Sequence, residues 1–196
     1  MHRIITLFTL SGVLFLTAAC GNGDNDYGQQ DDLDVEQEVE EAQQAESFDT
    51  PEGFRSDLES ALSIYLELVD DLVEEQTDQA TTHADEFEQA IAGMDASELD
   101  DAASMFWQEY SERIQTHAAA LQEHGEVDDQ RYEFEHLSEA LIEVVKSMGP
   151  IDMELYQQRC PMVRDDEADW LSSHSEIRNP YHGDAMMDCG TTVEEL

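Results

Sequence analysis

The sequence predicts a mainly α protein: an antiparallel four-helix bundle followed by a small C-terminal Cys/Met-rich segment containing one or two short strands. Three observations predict it. Apolar residues recur at spacings of three and four through residues 51–149, the period of a helix with one buried face. Caps and breakers cut that stretch into pieces of helix length with short connections, which makes neighbours antiparallel. After Pro150 the helical period gives way to alternation, turn residues and sulfur.

The first helix starts at Thr50-Pro51-Glu52, with Thr50 placed as cap and Pro51 in the first turn. Phe54, Leu58, Ala61, Leu62, Tyr65, Leu68, Val69 and Leu72 then mark one face to about Glu75. A shorter helix is expected over 78–92, with Ala80, Ala84, Phe87 and Ile91 inward and Gly93 ending it. Ser97 and Asp100 announce the next start. Ala102, Ala103, Phe106, Trp107, Tyr110, Ile114, His117, Ala118 and Leu121 follow, and Gly125 closes that helix. Asp128 is placed to cap the fourth helix, whose stripe is Phe134, Leu137, Leu141, Val144, Val145 and Met148 before the stop at Gly149-Pro150. His83, His117, His124 and His136 could in principle meet inside such a bundle. A single His on a helix face is more often hydrogen-bonded or partly exposed than a ligand. No repeated Glu-x-x-His pair of the di-iron type is present.

Charge limits the partners. Against 48 Asp and Glu the chain has 8 Lys and Arg, for a formal charge of -40. Nothing here could replace the counterions around phosphates, which excludes nucleic acid, and a polybasic membrane contact is excluded on the same ground. At ordinary ionic strength such a surface repels itself, while at molar salt the screening length falls to about 3 Å. The charge therefore reads as halophilic, the mark of exposure to brine; the plain alternative is a solvated surface with no specific partner.

Residues 1–19 have the layout of a signal peptide: His2 and Arg3, an apolar run from Ile4 to Leu16, then small residues. Leu16-Thr17-Ala18-Ala19-Cys20 resembles a bacterial lipobox, with Thr17 where an aliphatic residue is usual. The resemblance implies cleavage before Cys20, lipid attachment to its sulfur, and a lipid-anchored protein of the cell envelope facing the periplasm or the exterior. Residues 20–50 are rich in Asp, Glu, Gln and Gly with no Lys or Arg, which reads as a mobile, self-repelling tether.

In residues 150–196, alternation at Met153 and Leu155 suits a short strand, Asn179 to Gly183 a turn, residues 184–187 one helical turn, and residues 191–193 a second strand pairing with the first. Cys160-Pro161-Met162, then Trp170-Leu171, then Asn179-Pro180-Tyr181 with Gly183, Met186, Cys189 and Gly190 form a motif. It resembles an uncharacterised bacterial envelope domain, a domain of unknown function found in lipoproteins and at the C-terminus of membrane-fusion adaptors of copper and silver efflux pumps. The resemblance spans residues 52–196 and implies an efflux-linked setting with envelope efflux proteins as partners. Val163 and His182 depart from the pattern, so His182 is not inherited as a family ligand.

Thiolate and thioether sulfur select soft ions such as Cu(I) or Ag(I). Cys160 and Met162, two apart in an extended chain, are expected on one face; Met186 and Cys189, three apart, on one face of a helical turn. Converging, they would make a four-sulfur site with His182 or Met187 at its rim. The other reading is a disulfide between Cys160 and Cys189, the even pair left in an oxidising compartment once Cys20 is lipidated. It would close a loop of about 30 residues and stabilise the fold by roughly 3 kcal/mol. Two functions stay open: capture of a soft metal ion at the cell envelope, or a non-catalytic, disulfide-stapled interaction module. No nucleophile, zinc or phosphate-loop fingerprint is present, and the sequence points away from an enzyme.

Overall fold

A computed structural model describes residues 47–164 and 166–196. The signal-like segment, Cys20 and the acidic stretch up to residue 46 lie outside the described residues. The chain forms α1 (Glu52–Val73), α2 (Thr77–Gly93), α3 (Asp101–Gln122) and α4 (Val127–Met148). After them come β1 (Tyr156–Val163), β2 (Asp166–Ser172), a 3-10 turn (Gly183–Ala185) and β3 (Thr191–Glu195). This is the mainly α bundle with short strands that the patterning predicts.

The helix boundaries follow local chemistry, with two changes from expectation. Asp100 caps α3, its Oδ1 accepting from the Ala103 N–H at 2.9 Å. Thr50 does not cap α1. Its hydroxyl donates to the Met148 carbonyl at 2.6 Å, fastening the start of α1 to the end of α4. Asp128 does not cap α4 either: Glu126 precedes that helix, and Asp128 sits in its first turn, 3.3 Å from Arg131 Nη1. The packed body begins ahead of Pro51. The Phe48 N–H donates to the Ser147 carbonyl at 2.8 Å, and its ring packs 5.1 Å from Phe106.

Tyr65 is the centre of the core. Its ring stacks on Phe134 at 5.5 Å and lies 5.9 Å from Phe87. Its hydroxyl pairs with Ser138 Oγ at 2.8 Å and accepts the Leu171 N–H at 3.2 Å. One side chain on α1 therefore touches α2, α4 and β2. Full burial drives its phenol well above the ordinary value. On α3 the expected inward set holds at Ala103, Trp107, Ile114, Ala118 and Leu121. Ala102 faces solvent, and Phe106 is half-buried, stacked on Tyr110 at 4.4 Å.

The C-terminal segment folds as a three-stranded antiparallel sheet in the order β2-β1-β3. β1 starts at Tyr156, later than the alternation at Met153 and Leu155 suggests, and carries the Cys-Pro-Met run. The Trp-Leu-Ser run, which alternation does not mark, is β2. Its buried residues run consecutively from Trp170 to Ser172, and the strand packs on α4. β1 and β2 pair with Gln158 opposite Trp170 and Cys160 opposite Ala168. β3 pairs with the other edge of β1, as expected for a second strand returning to the first. A bulge interrupts β1 between Cys160 and Val163. In place of the expected helical turn at 184–187 there is the shorter 3-10 turn.

Candidate functional site

The fold brings two sulfur atoms together. Cys160 Sγ and Cys189 Sγ stand 3.8 Å apart and are not bonded. Cys160 is fixed in the central strand and has no exposed surface; Cys189, in the turn before β3, is half-buried. Its thiol is held above the ordinary value by desolvation and by its hydrogen bond with Cys160. The raised Cys189 thiol keeps its proton more firmly than a free cysteine, so a metal ion binding there has to displace it.

The Asn-Pro-Tyr turn is what holds Cys189 in place. Asn179 is fully buried. Its Nδ2 donates to the Cys189 carbonyl at 2.8 Å, its Oδ1 accepts the Tyr181 N–H at 2.8 Å, and its own N–H donates to the Met187 carbonyl at 3.0 Å. The Tyr181 hydroxyl donates to the Asp169 carbonyl on β2 at 2.6 Å, and burial raises that phenol strongly. Arg131, only 5% exposed, donates to the Pro180 carbonyl at 2.7 Å and to the Leu72 carbonyl at 3.1 Å. Gly183, at φ 50, fits where a Cβ would come within 2.7 Å of Arg131 Nη2, so the glycine of the turn makes room for the guanidinium. Gly190, at φ 153, does the same beside the Arg159 carbonyl, 2.8 Å from a Cβ built there.

The four-sulfur convergence is corrected in one respect. Cys160 and Met162 do not share a face: Cys160 is buried while Met162 is 53% exposed. The bulge is the reason, since the extra residue turns both Pro161 and Met162 outward before Val163 returns to the core. Met186 and Met187 are both half-buried in the turn that holds Cys189; Met187 packs against the core, and the Met186 carbonyl accepts the Cys189 N–H at 3.0 Å. His182 stands beside Met162, its Nε2 3.0 Å from that residue's carbonyl.

Three of the four bundle histidines meet. His117 Nδ1 is 2.7 Å from Glu133, His124 Nε2 is 3.8 Å from the same carboxylate, and the His117 and His136 rings are 5.0 Å apart. Glu133 stands three residues before His136 on α4, a spacing that sequence patterning did not single out, and its carboxylate faces His117 and His124. His83 lies elsewhere, against Asp71 at 2.5 Å. Among the described residues, no three or more His, Cys, Asp or Glu side chains are arranged to hold a metal ion.

Two residues that build the sulfur site carried little sequence signal. Arg131 falls three residues before Phe134, on the apolar stripe of α4, and a lone cation there is the sign of a buried anchor. Asn179 reads by composition as a turn residue, and its bond to Cys189 depends on a contact ten residues away.

Residues 61–153 match a family described as "Protein of unknown function (DUF3347)". That segment is similar to a domain of unknown function. The DUF3347 match covers the bundle from within α1 through α4 and ends before β1. The Cys-Pro-Met and Asn-Pro-Tyr runs therefore follow the matched residues. No curated protein and no solved structure matches the chain.

Proposed function

We propose that this chain is a cell-envelope protein, anchored through Cys20, that captures a soft monovalent ion, Cu(I) or Ag(I), on the thiolates of Cys160 and Cys189. The observation that carries the reading is the 3.8 Å separation of two sulfurs supplied by distant parts of the chain. At a metal–sulfur distance of about 2.3 Å, two sulfurs on one ion stand roughly 3.8 Å apart at a tetrahedral angle and roughly 4.6 Å apart in a line. Little movement separates the pair from either arrangement. Two thiolates without a third strong donor suit an ion content with low coordination, and disfavour Zn(II), which takes four ligands. Met186 and Met187, in the turn that carries Cys189, are the candidate thioether donors. Met162 and His182 stand at the outer surface, where an arriving ion would first meet sulfur and imidazole.

The test is a Cu(I) titration of the reduced protein against a chromogenic Cu(I) chelator, in a Cys20→Ser background. One ion per chain is expected. Cys160→Ser and Cys189→Ser should each weaken binding by roughly a hundredfold, since half the thiolate set is gone, while Met162→Ala should leave it unchanged. Absence of Cu(I) binding by the reduced protein rejects the reading.

The rival is a non-catalytic interaction module stapled by a Cys160–Cys189 disulfide. The same sulfur contact favours it, because the two side chains already face each other. Counting free thiols in the protein as isolated, before and after reduction, separates the two.

A further inference from the structure

We propose that Cys189 and Cys160 also form a thiol–disulfide exchange couple, in which Cys189 attacks small-molecule disulfides and Cys160 resolves the product. The proposal rests on the same sulfur pair as metal capture but needs no metal.

The two thiols differ in what can reach them. Cys160 has no exposed surface and is held in the central strand opposite Ala168. A dissolved disulfide has no path to its sulfur. Cys189 is partly exposed, and its own backbone is held by one bond from Asn179 and one to Met186. It is therefore the sulfur that meets the reagent and the one that moves. Closing the gap from 3.8 Å to a bond of about 2.05 Å takes a shift of roughly 1.8 Å. Gly190, directly after Cys189, has no side chain to restrict the change of φ and ψ this takes.

The steps balance. Cys189 loses its proton to water, and its thiolate attacks one sulfur of the reagent disulfide. The reagent S–S bond breaks, and the departing thiolate takes up a proton. Cys160 then loses its proton and attacks the Cys189 sulfur of the mixed disulfide. The second reagent thiolate leaves and is protonated. Two protein thiols become one disulfide, and one reagent disulfide becomes two thiols. The product has no thiolate left for a metal ion, so oxidation would switch capture off.

The test equilibrates the full chain, in a Cys20→Ser background, with glutathione and its disulfide, and follows the mass with time. The wild-type pair should lose the mass of two hydrogens and carry no lasting glutathione. Cys160→Ser should stop at a glutathione adduct on Cys189. Cys189→Ser should acquire its adduct at least about tenfold more slowly, because a buried thiol is shielded. A measurement free of variants guards against misfolding: brief alkylation of the reduced wild type should label Cys189 ahead of Cys160. Equal labelling of the two, equal adduct rates in the two variants, or a wild-type pair that stays reduced would each overturn the proposal. A Cu(I) titration of the same reduced batch is read separately. Binding without disulfide formation sinks only this inference, and disulfide formation without binding sinks only metal capture.

Discussion

Arg131 on α4 donates its Nε hydrogen to the carbonyl of Pro180 at 2.7 Å, so a side chain of the bundle holds the turn that carries Asn179 next to Cys189. The same guanidinium reaches the Leu72 carbonyl at the end of α1 and the Glu75 carboxylate at 3.2 Å. Three parts of the fold meet on one buried cation.

Removing that cation should loosen the sulfur site as well as the fold. Arg131→Met keeps the length of the stem but leaves the Pro180 and Leu72 carbonyls without their donor. A loss of about 2–4 kcal/mol is expected in denaturant unfolding. The Cys189 turn should also become easier to alkylate under native conditions. Arg131→Lys should recover only part of both effects, since an ammonium cannot span the fork of contacts. Unchanged Cys189 reactivity in Arg131→Met would show that the turn holds itself.

Asn179→Asp isolates the bond to Cys189. The aspartate keeps an acceptor for the Tyr181 N–H and loses the donor to the Cys189 carbonyl. The equilibrium constant for forming the Cys160–Cys189 disulfide in a glutathione buffer reports how close the sulfurs are held, and it should fall by roughly tenfold, corresponding to one lost hydrogen bond of about 1.4 kcal/mol. A fall in melting temperature with no change in that constant would make Asn179 a packing residue only.

Asp71 should give the bundle a pH dependence of a definite sign. Its carboxyl is only 10% exposed and accepts from His83 Nδ1. Burial raises its pKa above 3.8; the bond and charge of His83 lower it in part, and Glu67 and Asp70 raise it further. The folded state therefore keeps the Asp71 proton at pH values where the unfolded chain has released it. The stability this carboxyl contributes is fully present below 3.8 and is lost as pH rises through the higher folded value. Compared with Asp71→Asn, the wild type should gain stability as the solution is acidified from neutral pH, seen in paired denaturant titrations. A difference that does not vary with pH, or varies in the opposite direction, would refute this.

Salt should stabilise the protein strongly. With a formal charge of -40, the folded chain repels itself across its surface. Raising KCl from about 0.1 to 1 M shortens the screening length from about 10 to about 3 Å. The melting temperature should climb by several degrees, and sucrose at equal osmolality should reproduce little of it. A flat response to KCl would mean that the acids are spaced widely enough not to repel.

Local sequence was sufficient for the helices. The stripe from Phe54 to Leu72 and the stripe from Phe134 to Met148 are buried where the spacing of three and four puts them. That succeeds because a helix repeats its own geometry every few residues, so which side is apolar can be read without knowing the partner. The same holds for the acidic surface, whose repulsion depends on composition.

Tertiary structure alone decided the site. Cys160 and Cys189 meet because β1 lies at the centre of the sheet and because Asn179 and Arg131 hold the turn opposite it. Met162 leaves the set because a one-residue bulge turns it to solvent. Thr50, a cap residue by local pattern, bonds instead to the Met148 carbonyl at the far end of the bundle segment. Each of these depends on a contact or a strand register set by the packed partner, and a linear pattern of side-chain types holds no record of such partners until the chain has closed on itself.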